Sequence, residues 1–77
     1  MSAKQRDQLV KMANQIALNL GADRDERVAA TRTGEHIVRF WTPAMRTQLL
    51  EFWRSGGEGI TPAVTRFLET LDTDSTH

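Results

Sequence analysis

HIVRFWTPAMRTQLLEFWRSGGEGITP, residues 36–62, contains two helix starts and two helix stops. Proline disfavours helical geometry in the residue before it. An element carrying Ile37, Phe40 and Trp41 on one face must therefore end by Thr42, the residue before Pro43. Thr42 then supplies an N-cap hydroxyl and Pro43 a first helical residue that needs no N–H partner. The helix they start runs to about Arg54 or Ser55. It stops at Gly56-Gly57, where glycine takes positive backbone angles at little cost. Thr61-Pro62 repeats the start signal for a last helix, with Val64, Phe67, Leu68 and Leu71 as its buried stripe.

Working outward, Leu9, Met12, Ala13, Ile16, Ala17 and Leu20 recur at three- and four-residue spacing, which predicts a long helix over residues 3–20. Gly21 comes next as a left-handed stop. The stretch Met12–Leu20 carries no charge at all. The face opposite its stripe bears Gln8, Asn14, Gln15 and Leu18. Two readings of that face stand side by side: an ordinary amide-rich surface, or a face covered by another chain, because hydrogen-bonded amides tolerate burial better than charges. Between Ala22 and Thr33, Asp23 or Asp25 can cap a short helix through Ala30. Val28 would lie opposite Ile37 on an unbroken wheel, and Gly34 stands between them. That phase break predicts a separate turn, a kink or a loose segment, with a second helix starting near Thr33 or Gly34. After Leu71 the tail DTDSTH has no apolar residue. The expectation is an all-α single domain over residues 1–71, one long N-terminal helix and about three shorter ones joined by tight turns. Residues 72–77 form a frayed tail. No segment shows strand alternation.

At 77 residues the core is marginal, and domains of this size commonly rely on disulfides, a metal or a partner. The chain has no cysteine and only two histidines, His36 and His77. This removes disulfides, thiolate chemistry and a four-ligand Cys/His zinc site together. Ten basic residues balance ten acidic ones, and eight of the basic residues are arginine. A neutral domain lacks the field that drives phosphate binding in nucleic acids. No apolar run approaches the length needed to cross a bilayer, and MSAKQRDQLV has no uninterrupted apolar core, so a secretory signal is not expected. These features read as a cytoplasmic chain that works by contact.

Four of the five aromatic residues fall in the quoted run, as Phe40-Trp41 and Phe52-Trp53. Neighbours on a helix are about 100° apart, so one ring of each pair can anchor a core while the other borders a partner. By spacing, Phe40, Phe52 and Phe67 are core positions and the tryptophans less so. On the wheel of the third helix, Met45, Leu49, Leu50, Phe52 and Trp53 share an arc that Arg46 interrupts. Arg46 is either an interface arginine, stacked on Trp53 or a partner ring or paired with a partner carboxylate, or one that snorkels from the core edge. Gly56-Gly57-Glu58-Gly59 lacks the Gly-Lys-Ser/Thr of a phosphate loop and a preceding strand, and reads as a helix stop leading into a turn that exposes Glu58. His36 either covers its own helix or orients a partner group. No Ser-His-Asp set can be assembled. Asp23, Asp25 and Glu26 read as a solvated cap. No catalytic, cofactor-binding or metal-ligating residue is assigned.

Three separated motifs carry a family resemblance. They are Met12-Ala13-Asn14-Gln15-Ile16-Ala17, then His36-Ile37 with Phe40-Trp41-Thr42-Pro43 and Met45-Arg46, then Gly56-Gly57-Glu58-Gly59-Ile60 with Pro62. In this order they resemble the delta subunit of NAD-dependent formate dehydrogenases, the soluble multi-subunit molybdenum or tungsten enzymes. The resemblance covers most of residues 9–65 and says little about Gly21 to Thr33. It implies an accessory role. The alpha subunit of such enzymes carries the metal cofactor and iron–sulfur clusters, the beta and gamma subunits carry flavin and further clusters toward NAD, and the delta subunit carries no redox centre. It further implies binding to the catalytic assembly, through its alpha subunit, in support of assembly, cofactor retention or stability. Chemistry nominates Asn14, Gln15, His36, Phe40, Trp41, Met45, Arg46, Trp53 and Glu58 as partner contacts.

Three other roles compete with a permanent subunit. A dissociable assembly chaperone for the same enzyme has the same sequence signature. A small helical DNA-binding regulator is supported by short helices and tight turns, and opposed by zero net charge and the absence of a basic helix face. An uncovered partner surface also permits homo-oligomers of the isolated chain.

Overall fold

The computed structural model describes residues 3–75 and consists of four helices. These are α1 (Ala3–Asn19), α2 (Glu26–Phe40), α3 (Pro43–Arg54) and α4 (Pro62–Ser75). The described residues contain no strand.

The helix ends match the sequence signals closely. α1 closes in a Schellman arrangement: Ala22 N–H donates to Ala17 C=O at 3.0 Å and Gly21 N–H to Leu18 C=O at 3.2 Å, with Gly21 at φ +97°. α3 closes the same way. Gly57 N–H reaches Phe52 C=O at 3.0 Å, Gly56 N–H reaches Trp53 C=O at 3.2 Å, and both glycines have positive φ. At the other end of α3 the Thr42 hydroxyl accepts the Met45 N–H at 3.2 Å, satisfying one of the donors a helix start leaves open.

α2 departs from expectation. It is one helix from Glu26 to Phe40, with no interruption at Gly34. Asp25 is its N-cap, accepting the N–H groups of Arg27 and Val28. The phase break between Val28 and Ile37 disappears because the buried face is Ala29, Ala30, Thr33, Gly34 and Ile37, a stripe of mostly small residues. Val28 points outward and is 42% exposed. Gly34 is there for proximity, not for a bend. A Cβ built on it would lie 2.6 Å from Phe67 Cδ1, so the missing side chain admits the Phe67 ring. Small residues on the face of α2 let α4 approach closely, and α2 against α4 is the most extensive helix pairing.

The core is drawn from all four helices. Leu9, Val10, Ala13 and Ala17 of α1 meet Ile37 of α2, Leu49 and Leu50 of α3, and Ala63, Val64, Phe67 and Leu68 of α4. Trp41 joins them from the α2–α3 junction. Ile16, Met45, Phe52, Trp53 and Leu71 are partly buried and pack on its edge. Met12, expected in the α1 stripe, is exposed, and Val10 takes a core place instead. α4 continues past Leu71 to Ser75, and Asp72 accepts from Arg54 Nε at 2.8 Å, so residues 72–75 are helical where the sequence suggests fraying. Thr76 and His77 lie outside the described residues. The Cα radius of gyration is 11.4 Å, what a compact chain of this length has.

Candidate partner interface

The nine residues nominated from the sequence separate into three groups. Asn14 and Trp41 are engaged inside the chain. The Asn14 side chain grips the loop before α4 with both ends of its amide: Nδ2 donates to Gly59 C=O at 2.8 Å, and Oδ1 accepts the Thr61 N–H at 3.1 Å. The grip has a local cause. In a capping box, the third helical residue reaches back to the N–H of the capping residue. In α4 that third residue is Val64, which has no polar side-chain atom, and Asn14 supplies the acceptor from α1. The Thr61 hydroxyl is buried and makes no hydrogen bond, unlike that of Thr42. Asn14 thus joins the first sequence motif to the third.

Trp41 is 6% exposed and Phe40 67% exposed, the reverse of the order that helical spacing suggests. The reason lies in the backbone. Phe40 is the last residue of α2, and Trp41, at φ −87° and ψ 149°, is already extended. The turn into Thr42-Pro43 carries the indole inward and leaves the phenyl ring on the outside.

A second group borders the core. Met45 and Trp53 are half-buried against it. Arg46 is also half-buried. Its guanidinium donates to the Val38 carbonyl at 3.3 Å, one of the carbonyls that the end of α2 leaves without a helical partner. Arg46 therefore reaches back over the end of the preceding helix, an outcome closer to the snorkelling reading than to a stack on Trp53. On the same helix a guanidinium does lie over Phe52, that of Arg6 from α1, 4.6 Å from the ring centroid.

A third group faces outward. Phe40 is flanked by His36, with ring centroids 4.7 Å apart at 44°, and by Arg39, 5.8 Å from the Phe40 centroid. Gln15 bonds to Asn19 one turn on, at 3.0 Å. Glu58 stands exposed between Gly57 (φ +62°) and Gly59 (φ +89°). Leu18 and Val28, placed by spacing away from the apolar stripes, are exposed, and so is Val38, which sequence reasoning does not single out.

Concave surface is shallow and mixed in charge. An open groove of about 670 Å³ runs between α2 and α4. Its walls alternate Arg27 and Arg66 with Glu35 and Glu69, and its Thr31 and Thr70 hydroxyls donate to carbonyls of their own helices. Arg66 is further held by Glu26 at 2.5 Å. Among the described residues no three His, Asp or Glu side chains converge as a metal site would require. No helix of the described residues is long and apolar enough to cross a membrane.

These features define an all-helical domain whose distinctive outward groups are aromatic, aliphatic and cationic. The family model of the NADH-dependent formate dehydrogenase delta subunit FdsD matches residues 8–67, and the chain belongs to that family. No curated protein and no solved structure matches the chain.

Proposed function

We propose that the chain is a non-catalytic accessory subunit of a soluble, cytoplasmic, multi-subunit NAD-dependent formate dehydrogenase. It binds the catalytic assembly through the alpha subunit and supports assembly, cofactor retention or stability. The family match across residues 8–67 carries this reading. The partner enzyme holds the molybdenum or tungsten cofactor, the iron–sulfur clusters and the flavin, and uses NAD. The delta chain contributes surface. Its amide-lined α1 and an outward Phe40 beside Arg39 suit that task, since buried aromatic and arginine side chains dominate binding energy at protein interfaces.

The test is co-purification from the native host. A tagged delta chain is expected to bring down the formate dehydrogenase subunits, and failure to do so overturns the proposal. Subunit quantification across size-exclusion of the mature enzyme separates the two accessory roles. Equal stoichiometry identifies a permanent subunit, whereas loss of the delta chain from active enzyme identifies a dissociable chaperone. Deleting the delta gene is expected to lower metal-cofactor content or thermal lifetime of the enzyme, leaving turnover per loaded centre unchanged.

A further inference from the structure

Along α2 the residues Ala29, Thr33, His36 and Phe40 fall on one line, at spacings of four, three and four. The line starts in the core and runs out of it. Ala29 and Thr33 are fully buried, His36 is half-buried and Phe40 is 67% exposed. Phe40 therefore does not lie on the solvent face of its helix. It continues the edge of the buried face, at a level where the described residues leave two thirds of it open.

We infer that Phe40 is the central anchor of the docking surface for the formate dehydrogenase assembly, and that its receptor is an apolar pocket with an acidic rim. The inference rests on the accessory-subunit reading above and adds to it the surface and the chemistry of the partner's site. Three observations carry it. The first is the area. Two thirds of a phenylalanine leaves roughly 100–165 Å² uncovered on a single residue, in a domain with little core to spare. The second is pre-organisation. The His36 ring packs at a tilt against the phenyl ring, with 4.7 Å between centroids, so less side-chain freedom is lost when a partner closes over it. The third is charge. The Arg39 guanidinium stands beside the ring, and Arg46 of α3 adds its own at the Val38 carbonyl, two residues back along α2. A receptor that accepts the ring must also accept this cationic collar, which an acidic rim does by complementarity.

The decisive comparison is between wild type, Phe40→Ala and Arg39→Glu, each tagged and co-expressed with the other subunits in the host, with Leu18→Ala as a control away from the helix end. Phe40→Ala is expected to weaken association about tenfold or more, read by competition against wild type for the same assembly. Arg39→Glu is expected to weaken it less, and by an amount that shrinks as salt is raised. Leu18→Ala stays within about twofold. The helicity and melting temperature of free Phe40→Ala are expected to match wild type. Wild-type capture with undiminished capture of Phe40→Ala overturns the docking surface and leaves the accessory role standing. Absence of capture by wild type overturns the accessory role itself. A large loss of helicity in Phe40→Ala would make the ring structural and also overturn the surface. An Arg39→Glu variant that binds more tightly would refute the acidic rim.

Discussion

The dipeptide Phe-Trp occurs twice, and its two copies end in different places. In the first, Trp41 is buried and Phe40 exposed; in the second, Phe52 and Trp53 are both half-buried. The difference comes from the helix stop on the C-terminal side of each pair. Thr42-Pro43 ends α2 abruptly, so Trp41 leaves helical geometry and swings into the core. After Trp53 the helix continues through Arg54 and unwinds over Gly56-Gly57, so both rings keep their helical positions and straddle the core edge. A proline stop separates two neighbouring rings into opposite environments. A glycine stop keeps them side by side.

Substitutions on either side of that contrast probe it. The largest effect is expected for Trp41→Ala, about 3–5 kcal/mol of unfolding free energy, which in a marginal 77-residue domain removes most of the folded population. Trp53→Ala, half-buried, is expected to cost roughly 1–2 kcal/mol. Urea titration monitored by far-UV circular dichroism measures both, and equal losses would break the contrast between the pairs.

Next comes Asn14→Ala, which leaves the Gly59 carbonyl and the Thr61 N–H without their partner and is expected to cost about 1–3 kcal/mol. Asn14→Asp keeps an acceptor for Thr61 but sets a carboxylate against the Gly59 carbonyl, so it should not rescue. Gly57→Ala sharpens the role of the glycine stop. At φ +62°, with Trp53 Cα only 3.2 Å from the added Cβ, it is expected to cost about 1–2 kcal/mol. Fluorescence of the adjacent indole reports whether Trp53 shifts. The smallest effect is Phe40→Ala, within about 0.5 kcal/mol of wild type in the free domain. A larger loss by thermal melting would mean that the first pair is shared by the core after all.

The helix punctuation is legible in the sequence itself. Gly21, Thr42-Pro43, Gly56-Gly57 and Pro62 each act by chemistry that is local to a few residues, so sequence carries it almost undiminished; Thr61 is the exception, its N–H held by Asn14 from α1. α2 is harder, because its buried face is made of Ala29, Ala30, Thr33 and Gly34, residues too small or too polar to register as a hydrophobic stripe. The exposed Val28 supplies a false phase, and Gly34 looks like a break when it is a point of contact with Phe67. Gln48 is buried in α3, and no periodicity argument places an amide there. Among the nominated contacts, Asn14 owes its place to the α4 entry loop, and Trp41, turned inward by the adjacent proline stop, owes its burial to the convergence of the four helices. Those arrangements are tertiary, and residue spacing within one helix does not encode them.

The Asn14 clamp also has a kinetic consequence. Its two bonds join residues 45 and 47 positions apart, so they tie the first helix to the entrance of the last. Contacts across such separations form only after most of the intervening chain has been ordered, since the entropy of closing the loop must be met first. Their weight therefore falls on the escape from the native state rather than on the approach to it. Replacing Asn14 should accelerate unfolding and leave the refolding rate almost untouched. A single amide on α1 would then set how long the assembled domain persists.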